Sequence, residues 1–159
     1  MSDWRIEVVS SGSDQHIAAV DPLMGAMYAE MREQGPVVPL MDGGARIWLD
    51  GIRSGLERFG RLSIAISDGQ VVGFAHGALK LLPEHQGGAR VGHVTHVHVS
   101  PDHRREGIAR ALITSLDEWF QAKQVTSTEI HILVGNEAAR AFWERLGYAP
   151  ELVQYARRG

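Results

Sequence analysis

The 159-residue chain contains no cysteine, which removes disulfides, thiolate metal ligands and a cysteine nucleophile at one stroke. Nowhere do about 18 apolar residues run together, the length a membrane helix needs. The opening MSDWRIEVVS carries charge where a secretory signal needs an apolar core. Neither charge dominates: 16 Lys and Arg against 19 Asp and Glu leave a formal net charge of -3. That is too weak a field to hold the molecule on nucleic acid or an anionic membrane. The phosphate motifs GxxxxGKS, GxxxxGKT and GxGxxG are missing, which argues against ATP and NAD as ligands. No repeat and no low-complexity segment is visible. The expectation is one cytoplasmic domain, 1–159, with no nucleic-acid and no membrane partner, in which any anion site is local.

What is present is a mixed pattern. Arg5 to Val9 reads as a short strand by its alternation. His16 to Gln34 reads as a helix through Met24, Met27, Tyr28 and Met31, ended by Gly35 and Pro36. Gly44 to Phe59 has helical spacing through Ile47, Trp48, Ile52 and Leu56. RLSIAIS and QVVGFAHGALKLL flank Asp68-Gly69, the dipeptide suited to a two-residue hairpin turn. Arg90 to Ser100 is a further strand, Glu106 to Lys123 a helix, and STEIHILV, Ser127 to Val134, a strand. Asn136 to Leu146 is a helix stopped by Gly147, and ELVQYARR a last strand. Strand and helix alternating in the second half predict an α/β fold with a partly parallel sheet and helices packed on it.

The stretch HRREGIARAL, His103 to Leu112, follows a strand and opens a helix. Helix-initial N–H groups lack internal partners and, with the macrodipole, favour an anion. Gly107 and Ala109 leave room for a phosphate against that backbone, and Arg104, Arg105 and Arg110 supply positive charge. The competing reading is an ordinary helix start with solvated arginines.

The block VHVSPDHRREGIARALI, then a strand, then NEAARAFWERLGY, resembles the GNAT superfamily of N-acetyltransferases. Arg104, Gly107 and Ala109 match that family's pyrophosphate motif. Asn136, Ala139, Trp143, Gly147 and Tyr148 occupy the places of its second signature. The resemblance is specific from Val91 to Pro150. It implies a mainly antiparallel sheet whose fourth and fifth strands form a parallel, splayed pair, flanked by helices on both faces. It implies acetyl-CoA as acetyl donor and a primary amine of a small molecule or peptide as acceptor, with no metal. Backbone of Val97, His98 and Val99 would bond the pantetheine arm as an added strand. Amides of Arg105, Glu106, Gly107, Ile108, Ala109 and Arg110 would meet the pyrophosphate, and Asn136 the sulfur end. A homodimer is compatible with the resemblance, the edge of ELVQYARR being available for it.

Acyl transfer to an amine needs a general base, and histidine meets that with its ordinary pKa. The family's base falls at His93 in some members, and at the place of His131, five before the Asn, in others. Strand alternation puts His93 on one face with Thr95 and Val97, and His96 with His98 on the other. Trp143 stands where many members place a tyrosine beside the leaving thiolate, and an indole cannot serve as an acid. Tyr28 and Tyr148 are the alternative phenols, unless water protonates the thiolate. Two other functions stay open at this level. One is an acyl-CoA-binding module without turnover. The other is a histidine-ligated metal hydrolase, for which the spacing after His96 and His98 is wrong.

Overall fold

The computed structural model describes residues 3–11 and 14–159. In chain order it has β1 (Trp4–Val9), α1 (Asp14–Gln34), α2 (Gly44–Arg53), β2 (Gly60–Ser67), β3 (Gln70–Leu81), β4 (Arg90–Val99), α3 (Ile108–Ala122), β5 (Ser127–Ile130) and α4 (Glu137–Arg145). Single 3-10 turns, Glu84–Gln86 and Pro101–His103, bracket β4. The five strands form one sheet in sequence order. All neighbours are antiparallel except β4 and β5, which are parallel. The expected fold class is therefore the observed one. None of the described helices is long and apolar enough to cross a membrane.

The β2–β3 hairpin turns on Asp68 and Gly69, at φ 50° and 75°. Those left-handed values match the right-handed twist of the flanking strands. Each face of the sheet is covered. On one side α1 and α2 bury Val20, Met24 and Leu49 against Leu62, Ile64 and Phe74. On the other, α3 and α4 bury Ile108, Leu112, Leu116, Phe120 and Trp143 against Ala75 and Val94. Each such side chain contributes roughly 1.5–3 kcal/mol by leaving water. Phe120 sets a special requirement: a Cβ on Gly77 or Gly92 would stand 2.7 or 2.8 Å from its ring. Two glycines on neighbouring strands thus form the seat of one aromatic ring, and α3 lies close against the sheet there.

Several sequence expectations need correction. The second helix ends at Arg53 rather than Phe59, because Glu57 takes a left-handed φ of 69° that reverses the chain into β2. Strand β5 stops at Ile130 instead of Val134. The third helix begins at Ile108, with Gly107 as its N-cap rather than in its first turn. ELVQYARR forms no strand: 151–159 pair with nothing and are exposed, Leu152 and Tyr155 over nine-tenths so. Alternation gives a strand only where a ladder partner exists, so no strand edge is present there for a dimer.

Candidate active site

The site grows from an irregularity in β4. Its register with β3 runs Leu81↔Arg90 to Gly77↔Val94, then resumes at His76↔His96. Thr95 is thus an extra residue, a bulge. Its first consequence is parity. Cross-strand partners share a face, so the pairs Ala78↔His93, His76↔His96 and Phe74↔His98 put all four histidines on the side of α1 and α2. The expected separation of His93 from His96 and His98 is wrong, because simple alternation cannot count an inserted residue. Val97 and Val99 turn to the α3 side.

The second consequence is an open edge. Strand β5 pairs with β4 only from Val91↔Ser127 to Val94↔Ile130. Beyond that point, from Thr95 to Val99, β4 is laddered to β3 alone. The edge that β5 leaves offers backbone N–H and C=O groups to an extended ligand, as an exposed strand does.

That edge runs directly into the phosphate-type turn. Arg104 is extended, Arg105 is left-handed at φ 65°, and Gly107 caps α3 at φ 86°. Such alternation gathers successive N–H groups into a concavity for an anion. No side chain caps α3 and no acidic residue stands in its first turn, so its orphan N–H groups remain available. A Cβ at Gly107 would meet nothing within 4 Å, which leaves the approach clear. The arginines divide the work. Arg104 donates to Glu30 Oε1 and Oε2 at 2.7 and 2.9 Å, and to the Val99 carbonyl at 2.9 Å. Its charge is already met, and it ties the turn to α1. Arg105 and Arg110 are exposed as well and add two further cations to the turn.

At the other end of the open edge lies the histidine row. Thr95 Oγ1 is 2.7 Å from His76 Nδ1, 2.8 Å from His96 Nδ1 and 3.2 Å from the His76 carbonyl. With its one proton given to the carbonyl, the hydroxyl oxygen accepts from both imidazoles, leaving each Nε2 as a bare acceptor. Burial, reinforced by neighbouring histidines, lowers the pKa of His76 to about 3 and of His96 to about 4. Both are neutral at ordinary pH. Trp48 of α2 roofs them, its ring 5.0 Å from His76 and 4.5 Å from His96.

His93 sits between this row and β5. Its Nδ1 is 3.4 Å from Glu129 Oε2, and its ring is 4.8 Å from that of His131. Burial and His131 lower its pKa, opposed by Glu129. His131, largely exposed, reaches the same carboxylate oxygen at 3.8 Å. One ligand atom from each of His93, Glu129 and His131 falls within a 4.8 Å span. Lys80 Nζ, 3.4 Å from Glu129 Oε1, already supplies that carboxylate with a cation.

A family model described as the acetyltransferase (GNAT) family matches residues 26–148. The chain belongs to that family. Among solved structures it is similar to an aminoglycoside N-acetyltransferase, AAC(6')-Iy, in complex with CoA: TM-score 0.80, 18% identity, covering 99% of this chain and 96% of that one. It is similar also to a ribosomal-protein-alanine N-acetyltransferase from Brucella melitensis biovar Abortus 2308, with TM-score 0.67, 25% identity and coverage of 99% and 100%. A third is glucosamine-6-phosphate N-acetyltransferase from Arabidopsis thaliana, with TM-score 0.71, 14% identity and 98% coverage of both chains. No curated protein sequence matches the chain.

In this GNAT chain the second signature builds the start and core of α4. Asn136 is the N-cap, its Oδ1 accepting from Ala139 N at 3.1 Å, a bond that does not use the donors of its amide N–H2. Gly135, just before it, passes so close to the end of α1 that a Cβ would strike the Gln34 carbonyl. Trp143 is 4% exposed and packs against Phe142 and Tyr148. It is a core residue, with no surface to offer a thiolate. Tyr148 is half-buried, its hydroxyl 3.0 Å from Thr128 Oγ1, and burial raises its pKa. Sequence reasoning passed over Glu129, His76, Thr95 and Trp48. Glu129 had a signal, since it stands two before His131 in the stretch whose alternation predicts a strand. The bulge at Thr95 had none.

Proposed function

We propose that the chain is an N-acetyltransferase, moving the acetyl group of acetyl-CoA to a primary amine by direct attack on the thioester. One observation carries the reading: the open edge of β4, Thr95 to Val99, leads unbroken from a histidine row into an anion-receptive turn. A ligand fitting it is extended, rich in amide groups and anionic at one end, which describes the pantetheine and pyrophosphate of CoA. The backbone of Val97, His98 and Val99 would pair with that arm. The amides of Arg105 to Arg110 would hold the pyrophosphate, Arg105 and Arg110 would add charge, and Arg104 would brace the turn through Glu30. The bound donor supplies an activated acyl group on a thioester.

The amine must arrive neutral, and His93 is the base we assign. Glu129 beside Nδ1 orients the ring and favours the imidazolium once formed. His131 at its edge is the alternative acceptor, acting through water. In the transfer the amine nitrogen bonds the acyl carbon, the C–S bond breaks, and CoA leaves as thiolate. The amine proton passes to His93. No acid is drawn from Trp143, which is buried, and solvent protonates the thiolate.

The test couples binding to turnover. Acetyl-CoA should raise the melting temperature, and CoA thiol should be released with at least one amine of a broad panel. Gly107→Glu should abolish the thermal shift by putting bulk and negative charge into the phosphate site. An unchanged acetyl-CoA affinity in that variant overturns the placement. Binding without thiol release from any amine makes the chain an acyl-CoA-binding module instead.

A further inference from the structure

Among the described residues, several exposed apolar side chains gather at one place on the surface. Val38, Met41 and Ile47 are 72%, 68% and 59% exposed, and they stand together around a groove of ≈ 410 Å³ whose walls include Tyr28, Leu40 and Trp48. That is the size of a small-molecule site. No charged side chain lines it. Of the acidic residues nearby in sequence, Glu30 is held by Arg104, and Glu33, Asp42 and Glu84 are not on the wall. Its inner wall, Trp48, is the same ring that roofs His76 and His96. The groove therefore abuts, through that ring, the histidine row that lies beside His93.

We infer that the acceptor is a primary amine carried on an apolar or aromatic body, which lies in this groove against Trp48, Ile47 and Val38. The inference rests on the transferase reading for its amine and on the groove alone for the apolar body. Polycationic acceptors are disfavoured, because desolvating several ammonium groups against Val38, Leu40, Met41 and Ile47 is costly without carboxylates to meet them. An apolar body instead gains from covering surface that the fold leaves wet.

Three measurements test it. With CoA-thiol release as readout, kcat/KM for linear alkylamines should rise about fourfold for each methylene that the groove covers. Phenylalkylamines should exceed spermidine, an aminoglycoside and a lysine peptide. Ile47→Glu and Val38→Asp, both at exposed positions, should raise KM for the apolar amines at least tenfold and leave KM for acetyl-CoA unchanged. Calorimetric binding of a phenylalkylamine to wild type and Ile47→Glu separates the two readings. Should no amine turn over, binding that Ile47→Glu removes still supports the groove while the transferase reading falls. Turnover that favours polycations, or that is indifferent to chain length, overturns the inference. So does a wild-type dimer that Ile47→Glu dissociates, seen by light scattering, with amine KM unchanged; the surface is then a contact between copies.

Discussion

Acid should destabilise this fold through two buried histidines, and the size of the effect follows from their surroundings. His76 and His96 hold their pKa at about 3 and about 4 because burial excludes the charged form. In the unfolded chain both return to about 6.5. Between pH 6.5 and 4 the unfolded state therefore binds more protons than the folded one, and stability falls as pH falls. Each group contributes a limiting slope of about 1.4 kcal/mol per pH unit. By pH 5 the two together remove on the order of 4 kcal/mol relative to pH 8. Against a typical total of about 5–15 kcal/mol, that is a large share. Urea unfolding midpoints from pH 8 to 5 read this directly, and His96→Gln should halve the slope whatever it does to the absolute stability. A flat profile over that range would show that the face beneath Trp48 is hydrated and its histidines protonate in place, which would refute the tautomers assigned around Thr95.

Two further expectations concern residues on either side of this row. Glu129→Gln should leave KM for acetyl-CoA unchanged and move the acidic limb of the kcat/KM profile to lower pH, since the carboxylate is what raises the His93 pKa. His93→Gln should remove that limb, and a profile indifferent to both changes would exclude His93 as base. Gly92→Ala should cost about 1–3 kcal/mol of stability, because its Cβ meets the Phe120 ring at 2.8 Å. A pairing with Phe120→Leu should recover part of that loss, and a neutral Gly92→Ala would mean that α3 is not seated as described.

The parts of this molecule legible in its sequence are those encoded by neighbours a few residues apart. Asp68-Gly69 names its own turn, the spacing through Met24, Met27 and Met31 names a helix, and Arg104, Gly107 and Ala109 name an anion-receptive turn. Features set by distant partners were not legible. Glu129 owes its place to parallel pairing with His93, 36 residues earlier, as the register shows. Arg104 is drawn off by Glu30, 74 residues away, so a cation that looks free in the motif is a brace in the fold. Trp143 matches a signature position whose side chain turns inward here. ELVQYARR has the alternation of a strand and no ladder to join.

Thr95 shows how little sequence can separate a plain sheet from a site. Were Thr95 paired in a regular ladder rather than bulged out, alternation would leave His93 on the α3 side, away from His76, His96 and the Trp48 roof, and would bury an imidazole where Gly92 and Phe120 now pack. With Thr95 bulged out, His93 lies on the face of α1 and α2 and meets Glu129. The ladder between β4 and β5 ends at the residue before the bulge, so the open backbone edge begins where the histidines gather. A reacting amine and an extended acyl donor need those two features side by side. Thr95→Val, which keeps the bulge and removes only the hydroxyl, should therefore spare acetyl-CoA affinity and disturb the histidines alone, read as a changed pH profile of kcat/KM with KM for acetyl-CoA unaltered.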